Sequence, residues 1–297
     1  MTSFMLVAGG YTAVVDTFSA TLCSLEYEGR PLIVAHTPGV ANVDYRGVVC
    51  APWPNRLADG QYRFGGRHYQ VPVNEPEKGT ALHGLGVFRD WEVLSNSKSE
   101  VVLALRLGSD AGYPFSVRVE ARYTLSRDGL RAGIRGVNEG QTAAPYGSCP
   151  HPYLVAGSGC VNDWTLELEA DHYLSVSSQR MLPTALTPTA EGPFDFRSGR
   201  GIEQMPIDNA FTGVAVSSRG RCIARLTACD GHGALLSWDP RAKWVQIYTG
   251  DHLRDNPRGG LAVEPMDCPP DAFNSGEDLV VLDPGVEHSL SWALEAF

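Results

Sequence analysis

A strict alternation of apolar and polar residues over 116–125 (SVRVEARYTL) constrains the fold more than any other feature of this sequence. In an extended chain, successive side chains point to opposite faces, so this segment is expected to be a half-buried strand. The apolar face of that strand would carry Val117, Val119, Ala121, Tyr123 and Leu125. The turn sequence SRDG follows, and LRAGIR then resumes the alternation, which predicts an antiparallel hairpin.

The same period of two recurs in TLELEA (165–170), WVQIYT (244–249) and SLSWALEA (289–296). No stretch longer than about three turns shows helical spacing with caps, and 32 Gly and 20 Pro divide the chain into short segments. Strands without covering helices must bury their apolar faces against another sheet. We therefore expect an all-β fold, a large antiparallel β-sandwich, in which residues 1–297 form a single domain.

The charge and the cysteine content indicate which binding partners and which cellular compartment to expect. Asp and Glu total 34 against 24 Lys and Arg, a formal net charge of -10, so nucleic acid is not an expected partner. The 7 cysteines are scattered without a C-x-x-C pair, which argues against a zinc ribbon and a disulfide framework. The first residues, MTSFMLVAGG, lack a basic region and a long apolar run. We expect a reduced, cytoplasmic protein with no membrane segment.

Five short stretches combine titratable side chains with Gly, Pro or aromatic neighbours, and loops of this kind carry function disproportionately. They are PWPNR, ALHGLG, PHPYL, IDNAF and AVEP. The candidate residues in them are Asn55, Arg56, His83, His151, Asp208 and Glu264.

Glu264 and His151 have the strongest chemical case. Glu264 ends an apolar, strand-like segment, where burial would raise its pKa and make it a better base near neutrality. His151 lies between two prolines, which fix the backbone and suit an acid that must point at one atom. Each residue also has a plain structural interpretation, as a surface strand end and as a turn.

The other candidates have equally common structural roles. His83 can be a packed, hydrogen-bonded histidine. Asp208 can close an Asx turn with its own backbone, and Arg56 can be a solvated surface arginine. The residue types alone leave these alternatives open.

Six motifs, PNR, LHG, HPYL, IDNAF, VQIYTG and AVEP…PDAFN, occur between residues 54 and 274 in an order and at separations that resemble the aldose 1-epimerase (galactose mutarotase-like) family. The resemblance implies a β-sandwich with a monosaccharide cleft on a sheet face. It also implies a general base, Glu264, and a general acid, His151. The sugar ligands that it implies are His83, Asp208, Asn55, Arg56 and Gln246. Leu85 and Pro150 depart from residues common in the family, which bears on sugar preference.

The reaction implied is exchange of the α and β anomers of an aldose. A carboxylate on one side of the sugar and an imidazolium on the other would move the two protons, and a nearby Glu264 would favour the charged imidazole. We expect no cofactor and no metal, because the reaction involves no redox change and the sequence has no phosphate loop or HExxH motif. Tyr153, Trp53, Phe88 or Trp244 would supply an apolar platform for the sugar.

Three alternatives remain open at this point. The substrate can be an anionic sugar, such as a hexose 6-phosphate or a 6-sulfonated sugar, bound through Arg56 and Arg89. The protein can instead be a sugar-binding module without catalysis. A glycosidase, which normally needs two carboxylates, is the least supported. The sequence also leaves open whether the protein is a monomer or a homodimer.

Overall fold

Nearly every regular element in this computed structural model, which describes residues 1–110 and 112–297, is a β-strand. The first nine strands are β1 Ser3–Ala8, β2 Tyr11–Asp16, β3 Leu22–Tyr27, β4 Arg30–Pro31, β5 Val49–Cys50, β6 Arg56–Ala58, β7 Gln61–Phe64, β8 Arg67–Gln70 and β9 Thr80–Leu82. The next nine are β10 Glu92–Asn96, β11 Glu100–Arg106, β12 Val117–Ser126, β13 Gly129–Asn138, β14 Ala144–Tyr146, β15 Cys149–Pro150, β16 Tyr153–Leu154, β17 Thr165–Leu168 and β18 Ala170–Val176.

The remaining strands are β19 Pro183–Pro188, β20 Arg200–Gly201, β21 Asp208–Val214, β22 Cys222–Thr227, β23 Gly233–Trp238, β24 Trp244–Tyr248, β25 Leu261–Met266, β26 Val280–Leu282 and β27 Glu287–Ala296. Helical structure in the described residues is limited to two 3-10 turns, Val161–Asp163 and Thr189–Glu191, and the short helix α1, Ala272–Ser275. No helix in that part of the chain has the length and apolar character needed to cross a membrane.

Two large sheets form the sandwich. The nine-stranded sheet has the order β10-β11-β12-β13-β27-β23-β22-β17-β20, and the six-stranded sheet has the order β16-β25-β24-β21-β18-β19. Every strand pair in these two sheets is antiparallel. Their facing sides share one hydrophobic core, which includes Leu226 and Leu236 from one sheet and Val245 and Val263 from the other. The expected all-β antiparallel sandwich is confirmed. The single domain over residues 1–297 remains a prediction.

The predicted hairpin is confirmed in detail. Strands β12 and β13 pair from Val117 opposite Asn138 to Ser126 opposite Gly129, and the five predicted apolar residues of β12 are all buried. The SLSWALEA segment lies in β27, where its alternate residues Leu290, Trp292 and Leu294 are buried.

Two other segments differ from their predictions. TLELEA is not one strand: β17 ends at Leu168 and β18 begins at Ala170, because the chain crosses from one large sheet to the other at Glu169. In WVQIYT the alternation of burial is lost, since residues 244–247 are all buried. Here both faces of the sheet are covered, one by the core and the other by loops.

A buried carboxylate fixes the end of β25, the strand that carries Glu264. Asp267 accepts hydrogen bonds from the backbone nitrogen and the hydroxyl of Ser148, at 2.9 and 2.7 Å. Its other oxygen lies 2.8 Å from Nε2 of His288 in β27. These contacts join the end of β25, in one large sheet, to β27 in the other.

The Asp267–His288 pair predicts a pH-dependent contribution to stability. The hydrogen bond to Asp267 raises the pKa of His288. A raised folded-state pKa stabilises the protein fully below the unfolded value of about 6.5, and this stabilisation disappears as pH rises through the folded value. His288→Gln should therefore lower the free energy of unfolding by about 1 kcal/mol near pH 5.5 and by less near pH 9. Urea denaturation at both pH values measures this, with exposed His68→Gln as the control; equal losses at the two pH values would contradict it.

Candidate active site

Strand register sets the polar residues of the site in one row. In the pairing of β24 with β25, Gln246 lies directly opposite Glu264. In the pairing of β16 with β25, Tyr153 lies opposite Ala262. When the same register is extended from Tyr153 by two residues toward the N-terminus, His151 lies opposite Glu264.

The row lies on the face of the six-stranded sheet that points away from the main core. Val245, Ile247 and Val263 alternate with the row and belong to the core between the sheets. Because side chains alternate along a strand, Gln246 and Glu264 must project to the other side. There the loops that contain Tyr45 and His83 cover them.

His151 and Glu264 are in direct contact. The Nε2 atom of His151 is 3.3 Å from Oε1 of Glu264, and the two side chains are 5% and 2% exposed. The sequence prediction set these groups on opposite sides of a sugar, but the structure has them side by side. Two such groups can reach two oxygens that are bonded to the same carbon.

Burial shifts both groups of this pair toward their neutral forms. Burial raises the pKa of Glu264 well above its usual value; the negative charge of Asp208 adds to this, while a thiol contact from Cys149 and the charge of Arg56 oppose it. Burial also lowers the pKa of His151 to about 4. The expectation that Glu264 keeps the imidazole charged is thus wrong for the ligand-free protein, because loss of solvation outweighs the attraction. Between the two pKa values the pair carries one proton.

Arg56 is a buried arginine paired with carboxylates rather than a surface one. It donates from Nε and Nη2 to the two carboxylate oxygens of Glu75, at 2.9 and 3.1 Å. Its Nη1 atom lies 3.6 Å from Oδ2 of Asp208. Glu75 also accepts from Lys78 and Thr80, so this carboxylate holds the guanidinium in one orientation.

His83 and Asn55 both have left-handed backbone conformations. Their φ angles are 62° and 52°, and the backbone nitrogen of His83 donates to the carbonyl of Asn55 at 2.9 Å. Strained backbone of this kind is concentrated at functional sites. Burial, followed by the nearby charges of His151 and Arg56, lowers the pKa of His83 well below its usual value, which leaves a neutral imidazole. The side-chain oxygen of Asn55 accepts from the backbone nitrogen of Arg56.

Gln246 ends the row, and Asp208 lies opposite Tyr248, two residues further along β24 on the same face. Gln246 donates from Nε2 to Oδ1 of Asp208 at 2.6 Å, and its own Oε1 has no hydrogen-bond partner among the described residues. Asp208 is surrounded by many protein atoms, yet 28% of its side-chain surface is exposed to solvent. Burial raises its pKa, while Arg56 opposes the shift. Asp208 begins strand β21, so the Asx-turn alternative is not what the backbone adopts.

All seven predicted site residues line one cavity of about 440 Å³. Of the four predicted aromatic platforms, only Tyr153 lines it; Trp53, Phe88 and Trp244 do not. Two further tyrosines, Tyr45 and Tyr248, line the cavity and were not predicted from the sequence. Tyr248 was detectable, since it is two residues after Gln246 in the same strand and shares its face. Tyr45 lies in a loop that no periodicity identifies.

Three donor atoms at the cavity floor have the spacing of a metal site. One ligand atom each of His83, His151 and Glu264 lie within 4.8 Å of one another. Two imidazoles and a carboxylate are a donor set that zinc takes. The charge of Arg56 acts on both His83 and Glu264 and disfavours a second cation there. The absence of a metal from the reaction remains a prediction.

Comparison with known proteins identifies the family. The aldose 1-epimerase family profile matches residues 3–295. The chain belongs to the aldose 1-epimerase family. It is 37% identical over 287 residues to the uncharacterized protein YihR of Escherichia coli strain K12, covering 96% of this chain and 90% of that one. It is 29% identical to the galactose mutarotase of Mus musculus, covering 82% and 77% of the two chains.

Solved structures from this family share the fold. The GalM/aldose epimerase homologue from C. elegans superposes with a TM-score of 0.86 at 22% identity and covers 100% of this chain and 99% of its own. Galactose 1-epimerase from Lactobacillus acidophilus superposes with a TM-score of 0.82 at 20% identity, covering 99% and 94%. The family resemblance drawn from the six motifs is confirmed.

The buried pair predicts an unusual histidine titration. Because burial lowers the pKa of His151 to about 4, its imidazole should remain neutral through the pH range in which an ordinary histidine, with a pKa of about 6.5, gains a proton. Nitrogen-detected NMR of the imidazole ring, assigned by loss of the signal in His151→Asn, measures this directly. Protonation of His151 near pH 6.5 in the ligand-free protein would contradict the account.

Proposed function

We propose that this protein is an aldose 1-epimerase that interconverts the α and β anomers of a hexose by acid-base catalysis. The observation that carries the proposal is the buried contact of 3.3 Å between His151 Nε2 and Glu264 Oε1 in a cavity of a family member. A cavity of about 440 Å³ falls within the usual range for small-molecule sites, about 300–1,000 Å³.

The reaction requires a proton donor and a proton acceptor at the same time. To open the ring, Glu264 takes the proton from the C1 hydroxyl, the C1 carbonyl forms, and the bond from C1 to the ring oxygen breaks. His151 supplies a proton to the leaving ring oxygen. After rotation about the C1–C2 bond the ring closes on the other carbonyl face, and the two groups exchange roles. All atoms and protons return to their starting places on the enzyme.

The proton content of the pair fits this requirement. Both reacting oxygens are bonded to C1, so adjacent groups suit them better than groups on opposite sides of the sugar. A pair with one proton has one group able to donate and one able to accept. The nearby charge of Arg56 opposes the rise in the pKa of Glu264 and so favours ionisation of that carboxyl.

The remaining predicted residues are proposed to orient the sugar. Asp208 and the free Oε1 of Gln246 can accept hydrogen bonds from sugar hydroxyls, and Arg56 and His83 can donate to them. Asn55 is proposed as a further contact. The rings of Tyr45, Tyr153 and Tyr248 offer apolar faces to the C–H side of the sugar.

Substitution of either member of the pair should abolish most of the rate enhancement. Glu264→Gln and His151→Asn should each lower kcat for anomer exchange by about 10²- to 10⁴-fold, because each removes one positioned proton-transfer group. Polarimetry of freshly dissolved α-glucose or α-galactose measures the rate.

Glu167→Gln and His68→Asn are matched controls, because both residues are exposed and remote from the cavity. They should retain full activity. Full activity in both Glu264→Gln and His151→Asn would refute the proposed roles. Calorimetric sugar binding by the wild-type protein, without any faster anomer exchange, would instead favour a non-catalytic binding module.

An anionic sugar is the second candidate substrate, and one residue favours it. The arginines first expected to bind the anion are already neutralised: Arg56 by Glu75, and Arg89 by Asp110 at 3.0 and 3.1 Å, outside the cavity. Exposed Arg254 lines the cavity and has no carboxylate within 4 Å among the described residues. An exposed guanidinium without a carboxylate partner can bind a phosphate or sulfonate on C6 of the sugar.

Kinetics of Arg254→Gln distinguish the two substrates. If the natural substrate is a 6-anionic sugar, Arg254→Gln should raise KM for that sugar about tenfold. The variant should leave KM for the parent neutral hexose unchanged. Anomer-resolved NMR exchange measures both constants. Glu77→Gln, which removes the opposite charge at the same cavity, is the control and should not raise KM for the anion. A wild-type preference for the neutral hexose, with no effect of Arg254→Gln on either sugar, would exclude the anionic candidate.

A further inference from the structure

A second cavity lies on the outer face of the nine-stranded sheet, across the core from the candidate active site. Its volume is about 630 Å³. Cross-strand pairing sets its floor in a row, in which Ile223 lies opposite Ser237, Ser237 opposite Ala293, and Ala293 opposite Arg131. The small side chains in the middle of this row leave a depression between larger residues.

Three arginines at the edge of this cavity lack carboxylate partners. Arg131, Arg219 and Arg221 all line it, and none has a carboxylate oxygen within 4 Å in the described part of the chain. Arg131 and Arg219 are exposed and donate no hydrogen bond there. Among the lining residues, Glu295 is the single negative charge.

The grouping of three such arginines in one cavity is notable in an acidic protein. Many other arginines lie against carboxylates, as Arg118 does with Glu120 and Arg258 does with Asp251. An excess of guanidinium charge is therefore concentrated in a concave surface. Such surfaces raise the local concentration of anions.

Arg221 is held at the edge of the cavity by fixed contacts. It donates from Nη1 to the hydroxyl of Ser291 at 3.0 Å and from Nη2 to the carbonyl of Ser237 at 3.1 Å. Burial lowers its pKa; Asp239 opposes this shift, and the like charge of Arg131 adds to it. An anion bound at this place would relieve the repulsion between the two guanidinium groups.

We propose that this cavity binds a small organic anion. Its phosphate, sulfonate or carboxylate group would accept hydrogen bonds from Arg131, Arg219 and Arg221, since a guanidinium matches such groups with two parallel donors. Its less polar part would lie on Ile223, Leu235 and Ala293.

Binding of phenyl phosphate tests the proposal without a reacting sugar. Isothermal titration calorimetry should show saturable binding that is tighter than that of inorganic phosphate, because the ring adds apolar contact. The double variant Arg131→Gln/Arg219→Gln should weaken binding by about tenfold or more. Both side chains are exposed and make no hydrogen bond within the described residues, so the variant is expected to fold.

The matched control is Arg63→Gln/Arg67→Gln, which removes the same charge from exposed positions on β7 and β8. It should leave the affinity within about twofold. Amide shifts on binding should appear at residues 217–221, 235–237 and 291–293. Absence of binding at millimolar phenyl phosphate, equal weakening in both double variants, equal affinity for inorganic phosphate, or shifts confined to the cavity of Glu264 would each overturn the proposal.

Discussion

The register of three antiparallel strands is the constraint on which the candidate site depends. Because β16, β25 and β24 pair in one register, His151, Glu264 and Gln246 meet in a row although they are far apart in sequence. A slip of one residue in either ladder would turn Glu264 into the hydrophobic core. The core residues Val245 and Val263 therefore hold the polar row in place by fixing which face each strand buries.

Burial then gives these residues their chemical character. An isolated carboxylate or imidazolium in this position would be strongly destabilised, so both groups move toward their neutral forms. Together they retain one proton, which a reaction with one donor and one acceptor needs. Arg56, held by Glu75 and lying near Asp208, opposes the rise in the pKa of Glu264. The second cavity has an excess of positive charge, with three arginines that have no carboxylate oxygen within 4 Å among the described residues.

The sequence predicted the architecture well where one face of a strand is solvated, as in the β12–β13 hairpin. It failed where burial on both faces removes the alternation, as around Gln246 in β24. All seven site residues that the motifs identified line the cavity, but the motifs did not predict the direct contact between His151 and Glu264. That contact depends on pairing between distant segments, which local patterns do not encode. Tyr45 was not predicted because it lies in a loop, and local patterns do not show where a loop folds.

A crystal structure of the wild-type protein soaked with a monosaccharide tests the central claim most directly. The account predicts that the C1 oxygen lies within about 2.6–3.2 Å of the Glu264 carboxylate, and that the ring oxygen lies at a similar distance from Nε2 of His151. A sugar bound in the cavity with C1 directed away from both side chains would contradict it.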